Sequence, residues 1–237
     1  MTGVETTGRV HAAPTLPADA GARLQQAATA MGWRLEEDAC GLLQQYLTAL
    51  LKWNRVYNLT ALRNPEEALT HHLIDSLSAV APLQRHLKQA GLVDSARVLD
   101  VGSGGGLPGV VLAICLPHVQ VTCVDTVAKK AAFIQQVAAS LRLPNLRGVH
   151  ARVESLAGPF DVMTSRAFAS LVDFTQWSRK ALSPEGVWMA MKGKQPAPEL
   201  AALATDAPEV DVFHVEPLVV PGLDAERCLV WMRGRVG

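Results

Sequence analysis

The chain has 237 residues, 49% of them hydrophobic and 19% charged, with a mean hydropathy of +0.15. It is too apolar for a disordered polymer, and at roughly 150 residues per domain it suggests one large domain or one with an appendage. Twenty-two Lys+Arg offset 22 Asp+Glu, so net charge identifies no polyanionic partner, and the apolar stretches are too short and interrupted for a membrane-spanning helix.

Residues 1–18 hold no apolar run and read as a flexible tail without a secretory signal. Residues 19–90 read as an N-terminal helical cap. Asp19 stands where it can cap a first helix ending near Gly32. A second helix sets Leu43, Tyr46, Leu47, Leu50 and Leu51 at i, i+3, i+4 spacing. A third opens with Asn64 as N-cap, Pro65 at its first position and Glu67 at the third, a capping-box arrangement, and its apolar stripe is Leu69, Leu73, Leu77 and Val80.

From residue 91 to 237 short apolar runs alternate with helical stretches. The runs are 98–101, 119–124, 146–149, 160–164, 187–191, 210–215 and 228–232. Most are apolar at both parities, as parallel strands covered on both faces would be, and the helices between them supply crossovers. The expected fold is α/β, an open, doubly wound and mostly parallel sheet of seven strands behind the cap. The four cysteines (Cys40, Cys115, Cys123, Cys228) form no C-x-x-C pair and read as reduced, mostly buried thiols of a cytoplasmic protein.

The strongest chemical signal is the stretch Val98-Leu99-Asp100-Val101-Gly102-Ser103-Gly104-Gly105-Gly106-Leu107-Pro108-Gly109. It follows the first strand and leads into a helix, where an α/β sheet binds a cofactor, and its glycines let the backbone approach a ligand with no Cβ between. A G-x-G-x-x-G can be read at residues 104–109, but it starts late and puts Pro108 in the helix entry. Asp100 at the strand end would repel a pyrophosphate, and suits instead the ammonium and sulfonium of S-adenosylmethionine. Asp125 ends the second strand 25 residues later, where an acid can hold ribose hydroxyls. The two carboxylates favour the methyl donor over NAD. A P-loop is excluded because no Gly-Lys-Ser/Thr follows, and a serine-hydrolase elbow because Val101 stands where its first glycine belongs.

Net neutrality hides a segregation. Residues 129–194 carry ten Lys/Arg against four Asp/Glu, whereas residues 195–226 carry seven Asp/Glu and no Lys/Arg. The basic stretch is either an ordinary solvated face or a surface that tracks phosphates.

Four blocks now make the chain resemble a known family, the ribosomal RNA small subunit methyltransferase G proteins, also called glucose-inhibited division protein B. They are Lys52-Trp53-Asn54-Arg55-Val56-Tyr57-Asn58-Leu59-Thr60 with His72-Leu73-Ile74-Asp75-Ser76-Leu77; Asp100 to Gly109; Asp125 with Lys129, Lys130 and Phe133; and Arg152-Val153-Glu154, Ser165-Arg166-Ala167 and Met191-Lys192-Gly193. The resemblance spans about residues 40–237, and no motif position departs from the pattern. It implies a Rossmann-like class I methyltransferase that moves a methyl group from S-adenosylmethionine to N7 of a guanosine, position 527, in 16S ribosomal RNA. The substrate would be the small ribosomal subunit or an assembly intermediate, with no metal and no membrane involved. It further implies that Gly102 and Leu107 touch the donor, that Val153 and Glu154 lie by the adenine, and that Arg166 contacts the donor or the incoming base. Gly104 joins them as the glycine that leaves room for the methionine moiety.

Simpler readings stand beside these. His71 and Asp75, four apart on a helix, have metal-ligand spacing but no third partner, and a hydrogen-bonded pair orienting the helix is the better account. Trp53, Asn54, Tyr57 and Asn58 have the chemistry to read an unpaired base, but filling a helix end is favoured. Arg166 sits at a strand's carboxyl end, where such sheets bind ligands. Lys192 and Lys194 follow another strand and are candidates for phosphate contact. An NAD oxidoreductase, a non-catalytic ribosome-binding factor and a small-molecule methyltransferase are the alternatives; the loop and its two acids weigh against the first two, the basic stretch against the third.

Overall fold

A computed structural model describes residues 14–235; most of the expected N-terminal tail lies outside the described residues. Helices α1 (Ala20–Ala30) and α2 (Glu37–Tyr57) come first. A continuous helical stretch follows, comprising α3 (Pro65–Ala68), a wide π-helical turn (Leu69–Ile74) and α4 (Asp75–Leu77), and then α5 (Val80–Gln89). Asn64 caps α3 by accepting a hydrogen bond from the Glu66 amide at 2.9 Å, with Pro65 in the first turn as the sequence implies. Asp19 precedes α1 but its side chain makes no capping bond, because its backbone is not in the extended conformation a cap requires. The stripe residues of α2 and of the third helical stretch are all buried, in a core shared with one face of the sheet.

The rest alternates strand and helix: β1 (Arg97–Val101), α6 (Gly109–Cys115), β2 (Gln120–Asp125), α7 (Ala128–Ser140), β3 (Leu146–His150), β4 (Phe160–Arg166), α8 (Leu171–Ser178), β5 (Leu182–Lys192), α9 (Ala197–Asp206), β6 (Val210–Leu218) and β7 (Arg227–Gly234). The described residues form one seven-stranded sheet in the order β3-β2-β1-β4-β5-β7-β6. Strands β1 to β5 are parallel, whereas β7 runs antiparallel to both β5 and β6. The expected runs all fall on strands, but the last two are not parallel members. Their connection is a loop without a helix, so the chain returns beside itself rather than crossing over.

Alternation along the strands explains the double-sided apolarity. Val98, Cys123, Val162, Met189, Leu229 and Trp231 face a core built with α1, α2, α5, α6 and α7. Leu99, Val101, Val124, Met163, Trp188, Val230 and Met232 face a second core with α8 and α9. The cap therefore packs on one face only and overhangs the carboxyl ends of the parallel strands. The four cysteines are free thiols, three of them buried. Among the described residues no helix is long and apolar enough to cross a membrane, and no group of three acidic, His or Cys side chains is placed to hold a metal ion.

Candidate active site

The glycine loop leaves β1 at the edge where β2 and β4 also end. Gly102 and Ser103 donate from their amides to the Val124 carbonyl, and Ser103 accepts from the amides of Gly106 and Leu107. The cap reaches this loop directly: the buried Tyr46 hydroxyl of α2 donates to the Gly105 carbonyl at 2.7 Å. At Gly109 a Cβ would lie 2.4 Å from Cys123 Sγ and 2.8 Å from Asp100 Oδ2, so only glycine lets α6 start this close to β1 and β2. Gly104 is different. Its φ is +57° and a Cβ there would meet nothing within 4 Å, so open space lies above it.

Asp100 is fully buried beneath the loop and does not face the ligand space as the sequence suggests. Its Oδ2 accepts the Gly109 amide at 2.8 Å. Burial pushes its pKa up to about 7, against the pull of that hydrogen bond and of Arg166. Its Oδ1 has no hydrogen-bond partner, and neither do the buried hydroxyls of Ser103 and of Thr164, the residue registered beside Asp100 on β4. Three unsatisfied polar atoms around one loop are costly in a resting protein; of the three residues only Ser103 borders a cavity that a ligand can enter. Asp125 lies at the end of β2, where its Oδ2 accepts the Gly104 amide at 3.0 Å and its Oδ1 the Val127 amide at 2.9 Å. Lys130 Nζ stands 3.7 Å from the same carboxylate.

Two cavities open on either side of the loop, and Gly102 and Ala167 line both. One, of about 600 Å³, is bounded by Asp125, Val153, Glu154, Phe168 and Trp177. Phe168 packs against Gly102, where an added Cβ would lie 2.2 Å from its ring, and meets Trp177 edge-on with centroids 6.0 Å apart. The other, of about 420 Å³, lies under the cap and is bounded by Gly102, Gly104, Leu107, Thr60, His71, His72, Asp75, Arg166, Lys192 and Arg227. All seven candidate site residues read from the sequence thus line one cavity or the other.

Arg166, the last residue of β4, is tied to the cap. Its Nη1 donates to the His71 carbonyl at 2.8 Å and to Asp75 Oδ2 at 2.9 Å. The other Asp75 oxygen accepts Arg227 Nε at 2.7 Å. The expected His71–Asp75 pair is not formed. The π turn spreads the backbone by an extra residue, so Asp75 turns to the two arginines and His72 turns inward, within 2.8 Å of the Thr60 hydroxyl. Burial and the neighbouring Arg166 lower the His72 pKa to about 4, so this ring is neutral. Lys192 is also more constrained than expected. Its ammonium donates to Glu199 at 2.7 Å and to the Ala169 carbonyl, leaving Lys194 as the exposed member of that pair.

Of the residues singled out near the end of α2, Trp53 and Asn54 are structural, whereas Tyr57 and Asn58 are exposed. Asn54 clamps the following loop by donating to the Leu62 carbonyl and accepting the Thr60 amide, both at 2.8 Å, and Trp53 packs on Phe133. Arg227, Phe168 and Trp177 are among the site-lining residues that the sequence leaves unmarked. Arg227 precedes an apolar run that reads like any parallel strand. Only the antiparallel course of β7, with Cys228 registered to Lys192, brings it to the ligand edge of the sheet.

The Rossmann-like sheet of this order thus carries a glycine loop with a carboxylate at each neighbouring strand end and a divided cavity. The fold is shared with a methyltransferase from Aquifex aeolicus (17% identity, TM-score 0.50, covering 67% of this chain and 92% of that one) and with TrmN from Thermus thermophilus (18% identity, TM-score 0.52, 70% and 53%). It is shared equally with the [4+2]-cyclase SpnF (14% identity, TM-score 0.53, 68% and 82%), so likeness of fold does not select the reaction. Sequence does. The model of the family described as rRNA small subunit methyltransferase G matches residues 39–229, and the chain belongs to that family. Curated relatives named ribosomal RNA small subunit methyltransferase G include one from Paracidovorax citrulli, 62% identical over 231 residues (94% of each chain), and one from Polaromonas sp., 64% identical over 204 residues (86% of this chain and 89% of that one).

Proposed function

We propose that this enzyme transfers the methyl group of S-adenosylmethionine to N7 of guanosine 527 in 16S ribosomal RNA. We take its substrate to be the small ribosomal subunit or an assembly intermediate, and its place to be the cytoplasm. The observation that carries the reading is the pair of cavities meeting at Gly102 and Ala167. A donor with its adenosine in the larger one, beside Asp125, Val153 and Glu154, presents its reactive centre at the seam to a base held in the smaller one.

S-adenosylmethionine would supply a sulfonium methyl carbon for the in-plane lone pair of guanine N7 to attack; the S–C bond breaks towards sulfur, leaving neutral S-adenosylhomocysteine and a cationic base. No proton leaves the attacking atom, so no side chain has to act as a base. The chain's contribution is alignment and exclusion of water. Asp125 is placed for the ribose hydroxyls and, through the Gly104 amide, also fixes the loop. Gly104 leaves open space above the backbone for the methionine moiety, with Gly102 and Leu107 beside it in the same wall. Arg166 faces the base or the donor from the cap side of the seam. The cap, 19–90, closes the acceptor cavity, and residues 91–237 hold the donor. The target nucleotide must be unstacked to enter.

The test is to incubate the protein and S-adenosylmethionine with small subunits from cells lacking the gene. Reduction and aniline treatment then cleave the chain wherever N7-methylguanosine was formed. Scission at guanosine 527 is the expected result. Methylation that resists this treatment, or lies elsewhere, would overturn the assignment.

A further inference from the structure

Arg227 is held in the wall of the acceptor cavity by the same carboxylate that holds Arg166. Asp75 is nearly inaccessible, with 4% of its side chain exposed, so its single negative charge is shared between two guanidinium groups. The other polar groups of the wall do not restore balance. His72 is neutral, and Lys192 is neutralised by Glu199. Glu226, next to Arg227, does not line this cavity but a neighbouring groove that Arg227 also borders. The wall therefore carries a surplus of one positive charge, facing the glycine loop.

The hydrogen bonds point the same way. Arg227 uses Nε on Asp75 and Nη1 on the Glu226 carbonyl, leaving Nη2 without a protein partner among the described residues. Arg166 commits Nη1 to two acceptors, while its Nη2 has only a long contact of 3.4 Å to His72 Nδ1. Two planar forks locked by one carboxylate, each with donors to spare, make a preorganised receptor for a second anion.

We propose that Arg227 is a binding residue of the reaction, which together with Arg166 takes an oxyanion in the cap-side cavity, while Asp75 is the positioning residue that fixes both arginines. The oxyanion is either the carboxylate of the donor's methionine or the phosphate of the incoming nucleotide. Both belong to the site proposed above, and the inference rests on that reading. It gives the last strand a role at this edge: β7 begins with a third cation beside Arg166 of β4 and Lys192 of β5.

The experiment measures, for the full chain and for Arg227→Gln and Arg227→Lys, the affinity of S-adenosylhomocysteine and of 5′-methylthioadenosine, which lacks the amino-acid carboxylate. The KM for small subunits and its salt dependence complete the set. If the oxyanion is the donor's, Arg227→Gln weakens S-adenosylhomocysteine about tenfold or more, leaves methylthioadenosine within about twofold, and Arg227→Lys recovers part of the loss. If it is the nucleotide's phosphate, both small ligands are unaffected, KM for the subunit rises, and its salt slope falls by about one. Equal weakening of both small ligands, or a lower melting temperature with all binding unchanged, would overturn the proposal and leave Arg227 a structural link. A wild-type protein that binds no S-adenosylhomocysteine would instead refute the donor reading itself.

Discussion

The two cavities differ in how they are built. The donor-side cavity draws on β-strand ends and the turns that follow them, at 101–102, 124–130, 151–154 and 167–177. The acceptor-side cavity gathers residues from 59–75, 102–107, 166–167, 191–193 and 227, and its central charge, Asp75, is held by residues 91 and 152 positions away in the chain. The first is assembled by local rules of the α/β sheet. The second exists only when the cap is docked and β7 has returned. A substitution on the donor side should therefore act mainly on cofactor binding, while one at Asp75 should act on stability and catalysis together.

The largest expected effect lies at Gly104, in the wall of the acceptor-side cavity but tied by its amide to Asp125 of the donor side. Gly104→Val projects into open space in the free protein, so the fold should survive with only the strain of a left-handed backbone, about 1–2 kcal/mol. Binding of S-adenosylhomocysteine should fall below detection by calorimetry. Retained binding would show that the donor does not pass over this glycine.

On the acceptor side, Asp75→Asn removes the shared carboxylate and leaves two guanidinium groups facing each other. Breaking a buried pair from one side costs about 3–5 kcal/mol, and urea unfolding at pH 7 should show a loss of that order. A change near zero would mean that the cap is held by its apolar contacts alone.

A pH experiment sharpens the contrast, because each region hides one titrating group. Asp100, beneath the loop, has its folded pKa raised to about 7, so the folded state binds the extra proton and stability falls as pH rises from the ordinary carboxylate range towards 7. His72, in the acceptor wall, has its folded pKa lowered to about 4. There the unfolded state binds the extra proton, and stability rises with pH from about 4 to the ordinary imidazole value near 6.5. In the wild type the two slopes oppose each other across this window. Relative to wild type, Asp100→Asn should make stability climb more steeply with pH, and His72→Gln should make it fall. Parallel profiles for all three proteins would contradict both assignments.

The smallest effect concerns the basic surface. Lys192 is committed to Glu199 and Ala169, whereas Lys194 is exposed. Lys194→Gln should lower the salt slope of subunit binding by about one if it meets a phosphate. An unchanged slope would place the RNA on another face.

The same contrast governs what the sequence reveals. The glycine loop and Asp125 are legible because they lie at strand ends whose period and bounding turn are local properties, whereas Val153 and Glu154 are marked only by the family resemblance. The cap helices are legible from spacing and from the Asn64-Pro65 start. The Asp75 clamp is not, because a π turn displaces the face that regular helical spacing assigns to His71 and Asp75. Nor is Arg227, since an apolar run buried on both faces reads the same whether its strand is parallel or antiparallel. Asp100 stands near the strand end, as its sequence position implies, but burial under the loop, a tertiary property, decides what its carboxylate touches.

The central claim is that this site accelerates methyl transfer by alignment, with no side chain removing a proton. Single-turnover methylation of small subunits, with donor and subunit saturating, tests it directly across about pH 6.5 to 8.5. The account predicts a rate constant flat within about twofold over that range, and the same flat profile at a lower rate in Arg166→Ala. A rise of about tenfold per pH unit would mean that a proton is lost in or before the transition state, and would contradict it.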